Sequence, residues 1–596
     1  MLASVSSFQA IGQEFPVATD TLIKKPGRLI IENAGSRIVE ASDSGRIQYL
    51  YEEVRAYHDS TYFYADTAIL TDRFLIATGG IIIIQKDTIQ LFGDSLYFNR
   101  DSSLAEIYGN VVLKNGNQSL SGNSLFYKTE DKIAFFSDTA LLEQASMKIQ
   151  SIIGEFFIDD KVGYFEKDVI MISDDTRLRS ETLTYYSEGQ RAEFNSPTRI
   201  KTSDAEIYCE EGFYSAESKE GVFRKNAQYR GDNRSVTGTE ILYNKAEEHI
   251  RVIGEAVFLS DDGEGLAEEM EYNEKDQDLT LIGHAVFQDS SYLLKGERIT
   301  YNQNSRDLYI AGNGFLLQED WQLEATNIEY NDTTGIGLAD GGVIYWDGSS
   351  RSTLFCDEAE FDRNQSYMKA FNYDWKPRME VLSNQDTMHI SSDTLRSFEL
   401  SDTSDVKKKF FIADNNVAIY RHDIQALCDS MVYDLTDSIF ILLEDPVMWS
   451  DSTQFTGDTI MLYQKDQRLY KIEIRKDVMI LNSPTLPFFN QIKGKELVGF
   501  FIEDDMDRFT VQGSAQSLFY MTDEKDAFIA VNKIECSTLK FYFENNEISD
   551  IRGFTDVKSK LIPIDKANHM ALQLEGFNWD IELKPRSAND LKQRNL

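Results

Sequence analysis

Apolar and polar residues repeat along this chain with a period of 29 residues. The repeat is clearest in three successive units, which carry Gly254, Gly283 and Gly312 at one position and a tyrosine 18 residues later. Such a period is typical of repeat proteins, in which each unit is one supersecondary element that stacks on its neighbours. The pattern therefore predicts one repeat array rather than a series of separate globular domains.

Two columns of large apolar residues keep this period over nine and eight successive units, which excludes a chance pattern. The aromatic column comprises Phe98, Tyr127, Phe156, Tyr185, Tyr214, Tyr243, Tyr272, Tyr301 and Tyr330. The second column comprises Leu113, Leu142, Met171, Ile200, Tyr229, Phe258, Phe287 and Leu316. Because both columns recur at the same place in every unit, we expect them to share one interior.

Within a unit the apolar residues alternate with polar ones, as in Leu279, Leu281 and Phe287, which is typical of a half-buried strand. The parity of the apolar positions changes between Leu294 and Ile299, and such a change predicts a bulge or a corner. Short polar turns follow each strand, and helix signals are poor. The fold class expected is all-β, an elongated array of stacked antiparallel strands with two main strands per repeat.

The net charge is −39 at pH 7, which argues against nucleic acid as a partner. Acidic residues such as Glu268, Glu269 and Glu297 gather near the predicted corners. They form either a solvated edge that prevents sideways strand pairing or a surface for divalent cations. The four cysteines each lie five residues before an aromatic residue, at a position otherwise held by small residues, so we expect them to be packing residues.

Sequence motifs for catalysis are absent from the chain. It contains no HExxH pair, nucleophile elbow, P-loop or glycine-rich dinucleotide fingerprint, and no CxxC spacing. We therefore predict a protein that is not an enzyme and that holds no cofactor or metal.

The repeated units resemble a known family. The stretches IYGNVVLKNGNQSLSGNSLFY and VIGEAVFLSDDGEGLAEEMEY, and the later NQIKGKEL and VQGSAQSLFY, are similar to the OstA-like (LptA) domain of lipopolysaccharide transport. The resemblance implies a β-jellyroll whose apolar interior, lined by the two columns, holds the acyl chains of lipid A. It also implies a periplasmic bridge from inner to outer membrane, associated with the outer membrane, with lipopolysaccharide transport components of both membranes as partners.

The pattern and the resemblance together divide the chain into segments. Turn residues and a short basic run interrupt the repeat between residues 362 and 409, which suggests a junction. The expected segments are a truncated signal peptide at 1–16, an OstA-like repeat array at 17–361, an irregular junction at 362–409, a second repeat segment at 410–487, a C-terminal OstA-like segment at 488–564, and a cap and tail at 565–596.

Two functions remain open at this point. In a lipid bridge, the columns converge on an unfilled groove, where each buried CH₂ contributes about 0.8 kcal/mol. In an elongated β-solenoid scaffold or adhesin, the same columns pack against each other and leave no groove. The state of the interior distinguishes the two functions.

Overall fold

The computed structural model describes residues 27–42, 45–174, 176–382, 386–401, 407–465, 468–502, 505–523, 525–544 and 547–592. The signal peptide predicted at 1–16 lies outside these ranges. The chain divides into two compact units, Met1–Asp232 and Asn233–Leu596, and each is described by itself.

The first unit contains nineteen strands within its described residues, together with one 3-10 turn, Glu188–Gln190. The strands are β1 (Ile30–Asn33), β2 (Ser36–Ser42), β3 (Gly45–His58), β4 (Thr61–Leu70), β5 (Phe74–Gln85), β6 (Ile89–Asn99), β7 (Leu104–Asn115), β8 (Gln118–Lys128), β9 (Ile133–Phe136), β10 (Ala140–Gln144), β11 (Met147–Ser151), β12 (Ile153–Phe157), β13 (Val162–Ser173), β14 (Thr176–Tyr186), β15 (Arg191–Phe194), β16 (Thr198–Lys201), β17 (Ala205–Cys209), β18 (Glu211–Ser215) and β19 (Glu220–Gly231).

The second unit contains twenty-five strands within its described residues, and 3-10 turns at Ile564–Lys566, Ile581–Leu583 and Asp590–Lys592. The strands are β20 (Arg234–Asn244), β21 (His249–Ser260), β22 (Gly263–Asn273), β23 (Asp278–Gln288), β24 (Tyr292–Asn302), β25 (Asp307–Gln318), β26 (Trp321–Asn331), β27 (Ile336–Asp347), β28 (Ser352–Asp362), β29 (Tyr367–Phe371), β30 (Arg378–Leu382), β31 (Thr387–Ser391), β32 (Thr394–Ser401), β33 (Lys407–Tyr420), β34 (Ile424–Asp434), β35 (Ile439–Leu443), β36 (Val447–Ser450), β37 (Thr453–Thr456), β38 (Thr459–Lys465), β39 (Arg468–Thr485), β40 (Phe488–Ile502), β41 (Asp505–Thr522), β42 (Phe528–Glu544), β43 (Glu547–Phe554) and β44 (Lys558–Pro563).

Successive strands pair antiparallel in both units, as in β6 with β7 and β23 with β24. One 29-residue repeat corresponds to two strands, because β23 begins at Asp278 and β25 begins at Asp307. The prediction of an all-β antiparallel repeat array is therefore confirmed. No helix among the described residues has the length and apolar character needed to cross a membrane.

The predicted change of parity corresponds to a corner in the middle of the long strands. In β25, Gly312 and Asn313 both have positive φ, 73° and 54°. They lie between Ala311 and Gly314, which pair with Asn327 and Ala325 of β26, so two residues oppose one in a β-bulge. Glycine and asparagine adopt this left-handed conformation at lower cost than other residues. This requirement for a left-handed residue explains why Gly254, Gly283 and Gly312 recur at one position of the repeat.

The corners fold the sheet of the second unit on itself. We name the part of the strands that carries Phe287 and Leu294 the first half-sheet, and the part that carries Leu279 and Tyr301 the second. The rings of Phe287 and Tyr301 contact each other with centroids 5.6 Å apart, although they belong to different half-sheets. The two half-sheets therefore face each other across an apolar interior.

In the first unit, glutamines at the ends of the strands join the two half-sheets. The Oε1 atom of Gln144 accepts a hydrogen bond from the Tyr185 hydroxyl at 2.9 Å, and its Nε2 donates to the backbone oxygen of Ser187 at 3.3 Å. Gln85 likewise donates from Nε2 to the backbone oxygen of Thr129 at 2.7 Å. Burial raises the pKa of Tyr185, which keeps its hydroxyl protonated as a donor. We name these contacts the polar seam.

Gly312→Ala tests the corner. A Cβ at this position has to adopt φ 73° and lies 2.8 Å from Cβ and Cγ of Glu297. We expect a loss of about 1–2 kcal/mol from the left-handed backbone, and a further loss from the contact. Gly342→Ala is the matched control, because its φ is 77° but nothing lies within 4 Å. In urea unfolding, the free energy of unfolding should be highest for wild type, lower for Gly342→Ala and lowest for Gly312→Ala. Equal losses in the two variants would contradict the expected contribution of the contact with Glu297.

Gln144→Ala tests the polar seam. It leaves the fully buried hydroxyl of Tyr185 without this acceptor, so we expect the free energy of unfolding to fall by about 1–3 kcal/mol. Adding Tyr185→Phe should restore part of the loss, because the unpaired hydroxyl is then removed. Gln150→Ala, at an exposed position in β11, serves as the control. If Gln144→Ala and this control have the same free energy of unfolding in urea, the polar seam does not contribute to stability.

Candidate functional site

The seventeen side chains of the two columns all lie in the interior between half-sheets. None of them is more than 6% exposed, and Phe98, Tyr127, Tyr185 and Phe287 are fully buried. Members of the two columns also contact each other directly, as Phe258 does with Tyr272 at 5.7 Å between ring centroids. Where these columns run, the interior is therefore filled by the protein's own side chains.

In the second unit, arginines close the edge of this packed interior. The guanidinium carbon of Arg234 lies 4.6 Å from the ring centroid of Tyr272, and that of Arg363 lies 4.6 Å from the centroid of Trp321. Arg363 also donates from Nη1 to the hydroxyl of Tyr345 at 2.8 Å. A cation over an aromatic face is attracted by the ring quadrupole, so each arginine holds an interior ring in place and covers it from solvent.

The interior is not filled where β27 to β33 meet. A cavity of about 200 Å³ opens there between the two half-sheets. The first half-sheet contributes Tyr345, Leu354 and Met379, and the second contributes Phe361, Met368, Leu395 and Phe411. Among these seven side chains, only that of Met368 is more than 8% exposed. They form the apolar part of the wall, and polar residues such as Ser352, Arg396 and Ser397 form the rest. We name this space the interior cavity.

A change in side-chain size accounts for the interior cavity. Phe361 pairs with Met368, Met368 with Ser397, and Ser397 with Phe411, so two smaller residues separate two aromatic ones on the second half-sheet. The strands also divide here, since β30 pairs with the first part of β28 and β29 with its second part. The described residues of the expected junction, 362–409, thus contain the end of β28, β29 to β32 and the start of β33.

Charged groups of both signs surround the opening of the interior cavity. Arg363, the exposed Lys409, Asp320 and Asp347 all line the cavity. Burial alone raises the pKa of Asp347, but hydrogen bonds from neighbouring serine hydroxyls and backbone amides outweigh it and lower the pKa. This carboxylate is therefore charged at neutral pH. A chamber with an apolar wall and charged groups nearby suits an amphiphile better than a wholly polar ligand.

The remaining chemistry of the described residues is sparse. A concavity of about 900 Å³ lies on the outer face of β24 to β28, where Glu329 and Glu360 are exposed. Within the described part of the chain, no group of three or more histidine, cysteine or acidic residues is arranged to hold a metal ion. All four cysteines are buried, and burial raises the pKa of Cys209 to about 12, so its thiol stays protonated.

The lining of the interior cavity was missed by the sequence analysis, which took its candidates from the regular columns. Leu354, Met379, Leu395 and Phe411 are outside those columns because the 29-residue period is broken between residues 346 and 411. The signal that could have found them is the break itself. A repeat that loses its register also loses the fit between its half-sheets, and unfilled volume is the expected result.

Comparisons with known proteins identify related families in both units. Residues 27–181 match the model of the OstA-like protein family, and residues 254–307 match the LptA/(LptD N-terminal domain) LPS transport protein family. Together the two matches span about a third of the chain. A search of curated proteins found no match.

Among solved structures, a similar chain is LptH from Pseudomonas aeruginosa, described as the LptA homologous periplasmic component of the conserved lipopolysaccharide transport device. The two sequences are 14% identical, and the similarity covers 23% of this chain and 82% of LptH, with a TM-score of 0.14. That score carries no argument about structure, so the relationship depends on the two family models. The chain is thus similar to the OstA-like family over a segment of its first unit and to the LptA/(LptD N-terminal domain) family over a segment of its second unit.

Proposed function

We propose that this protein binds lipopolysaccharide by its acyl chains between the half-sheets, and that it bridges the inner and outer membranes in the periplasm. The family that residues 254–307 match is one of LPS transport, which supports this substrate. The observation that carries the proposal is the interior cavity, a space of about 200 Å³ that has an apolar wall on both half-sheets and polar and charged residues around it. Transport components of the two membranes are the proposed partners at its ends.

The size and walls of the interior cavity suit part of an acyl chain. An apolar protein cavity of about 150 Å³ is large enough to take up benzene. The interior cavity therefore accommodates several methylene groups without rearrangement, each contributing about 0.8 kcal/mol on burial. Arg363 and Lys409 at its opening offer positive charge to lipid A phosphates, whereas Asp320 and Asp347 do not.

Movement of a lipid through the packed repeats requires the columns to separate. The half-sheets are joined at their edge by side-chain contacts such as those of Gln144, and a hydrogen bond contributes about 0.5–1.5 kcal/mol net. An acyl chain of about a dozen carbons gains about 10 kcal/mol gross on burial. A seam contact is therefore a small part of the cost of opening. The acyl chain also has to replace the packing of the buried column side chains that separate.

A scaffold or adhesin with a packed core is the second candidate function. It is favoured by the burial of all seventeen column residues and by ring contacts such as that between Phe287 and Tyr301. In this alternative, the interior cavity is a packing defect of the broken repeat, and the array binds proteins through its outer surface.

Photocrosslinking in cells distinguishes the two functions. A photoreactive amino acid replaces Phe361, which is 3% exposed and lines the interior cavity, or Glu360, the exposed neighbour on the outer face of β28. We expect a lipopolysaccharide adduct at Phe361 and none at Glu360. The same substitution at Tyr301 tests whether the packed columns also open. A correctly localised protein without an adduct at Phe361 or Tyr301 would support the scaffold.

Ser397→Phe tests the interior cavity in vitro. The added ring restores the aromatic residue that a regular repeat has on the second half-sheet, so it fills the space between Phe361 and Phe411. We expect the affinity for a fluorescent fatty acid to fall at least about tenfold, because a tenfold change corresponds to only about 1.4 kcal/mol. Glu329→Phe on the outer face is the control. Unchanged binding in a variant with wild-type thermal unfolding would exclude the interior cavity as the site.

A further inference from the structure

The concavity of about 900 Å³ on the outer face of β24 to β28 exposes large apolar side chains to water. Tyr309 of β25 is 38% exposed, and Ile336 and Leu338 of β27 are 57% and 38% exposed. Their neighbours Leu308 and Gly337 are buried, so these three side chains point away from the interior. Apolar residues that gather in one exposed concavity indicate an interaction surface, whereas single exposed apolar residues do not. We name this space the outer concavity.

Carboxylates alternate with the apolar side chains across successive strands of the outer concavity. Tyr309 pairs with Glu329, and Glu329 pairs with Leu338. Leu338 in turn pairs with Glu360. Because neighbouring strands lie about 4.8 Å apart, the two glutamates start about 10 Å from each other, and so do the two apolar residues. The outer concavity therefore presents a row in which apolar and acidic side chains alternate.

Further carboxylates lie along one edge of the outer concavity, at the ends of the strands. Asp278 accepts a hydrogen bond from Nδ2 of Asn302 at 2.6 Å. One repeat later, Asp307 accepts a hydrogen bond from Nδ2 of Asn331 at 2.7 Å. Hydrogen bonds from the hydroxyl of Ser305 and from Asn331 lower the pKa of Asp307, so its carboxylate is charged at neutral pH.

The charged side chains that line the outer concavity all have one sign. Five of its described lining residues are acidic, and none of them is a lysine or an arginine. The five are Asp278, Asp307, Glu329, Glu360 and Asp362. Lys369 pairs with Glu360 on the next strand, but its Nζ atom lies 5.3 Å from the ring centroid of Phe371. A ligand that matches the outer concavity is therefore both apolar and positively charged.

A single metal ion does not match this arrangement. Calcium takes oxygen ligands at about 2.3–2.6 Å, whereas Glu329 and Glu360 belong to strands about 10 Å apart. In the part of the chain that the structure describes, no three or more histidine, cysteine or acidic residues are arranged to hold a metal ion. A larger cation, with several positive charges on an apolar body, fits the spacing instead.

A basic amphipathic α-helix has the spacing that the outer concavity requires. One helical turn advances about 5.4 Å, which is close to the strand separation of about 4.8 Å, so successive turns of a helix across the sheet lie over successive strands. Lysines or arginines on alternate turns then face Glu329 and Glu360, and leucines between them face Tyr309 and Leu338. A turn about 11 Å in diameter occupies about 500 Å³, so the outer concavity accommodates roughly two turns.

We propose that the outer concavity is a docking surface for a basic amphipathic helix of a partner protein. The apolar side of the helix buries Tyr309, Ile336 and Leu338, and its basic side chains pair with the carboxylates around them. The interior cavity lies on the opposite face of the same half-sheet. Docking therefore does not depend on bound lipid, and this surface is additional to the proposed lipid site.

Fluorescence anisotropy of a labelled peptide tests the charges of the outer concavity. The probe is an amphipathic helical peptide of leucine and lysine, added to the full-length protein at physiological ionic strength. We expect Glu329→Lys combined with Glu360→Lys to weaken binding at least about tenfold, because two attractive charges become repulsive. Glu264→Lys combined with Glu297→Lys is the matched control, since both glutamates are exposed outside the outer concavity and the change in net charge is the same.

The outcome of this comparison decides the proposal. Peptide binding that the control variant retains and the Glu329 and Glu360 variant loses would support the docking surface. Equal losses in the two variants would show adsorption that follows the net charge alone, and would overturn it. Absence of peptide binding by the wild type would also overturn it.

A substitution that keeps the charge tests the apolar part of the outer concavity. Leu338→Ser should weaken peptide binding at least about threefold, because the leucine side chain is buried by the helix. Leu259→Ser is the control, since Leu259 is 45% exposed on the outer face of the first half-sheet. A peptide of the same composition in scrambled order should bind less tightly than the amphipathic one. Equal affinities of the two leucine variants, or of the two peptides, would contradict helix docking.

Binding of the fluorescent fatty acid separates this proposal from the proposed function. The substituted side chains lie on outer faces, so we expect each folded variant to bind the fatty acid as the wild type does. Loss of peptide binding with unchanged fatty-acid binding would place the peptide on the outer concavity. Parallel loss of both in the Glu329 and Glu360 variant would contradict a separate docking surface.

Discussion

The pair of left-handed residues in the middle of the long strands is the constraint on which this structure depends. A strand with one apolar face cannot bury that face alone, and a flat sheet would leave it in water. Gly312 and Asn313 bend β25 so that its two ends carry their apolar residues to facing half-sheets. The same pair recurs one repeat earlier at Gly283 and His284. Each repeat thereby forms both walls of the interior.

Because the corner joins the half-sheets on one side only, the opposite edge needs separate contacts. The first unit uses glutamines, as in the bonds of Gln144 to Tyr185 and Ser187. The second unit uses arginines that stack on interior rings, as Arg363 does on Trp321. These contacts are made by side chains rather than by strand ladders. They are consequently the part of the fold that opens at the lowest cost.

The interior takes two states in the described structure. Along the regular columns it is filled by rings such as Phe287 and Tyr301. Between β27 and β33 it contains the interior cavity. An acyl chain that enters therefore competes with groups of similar chemistry. This similarity keeps the net free energy of binding small at any one repeat.

The sequence by itself determined the all-β class, the 29-residue period, the corner and the inward side of each strand. Strict alternation and a recurring glycine leave few other arrangements for residues such as Leu281 and Gly283. It also predicted the family, through local motifs of the repeat. Only the tertiary structure decided whether the interior is filled. That state depends on how the side chains of two half-sheets fit, for example Ser397 between Phe361 and Phe411. These are contacts between residues distant along the chain, and a repeating pattern carries no information about them.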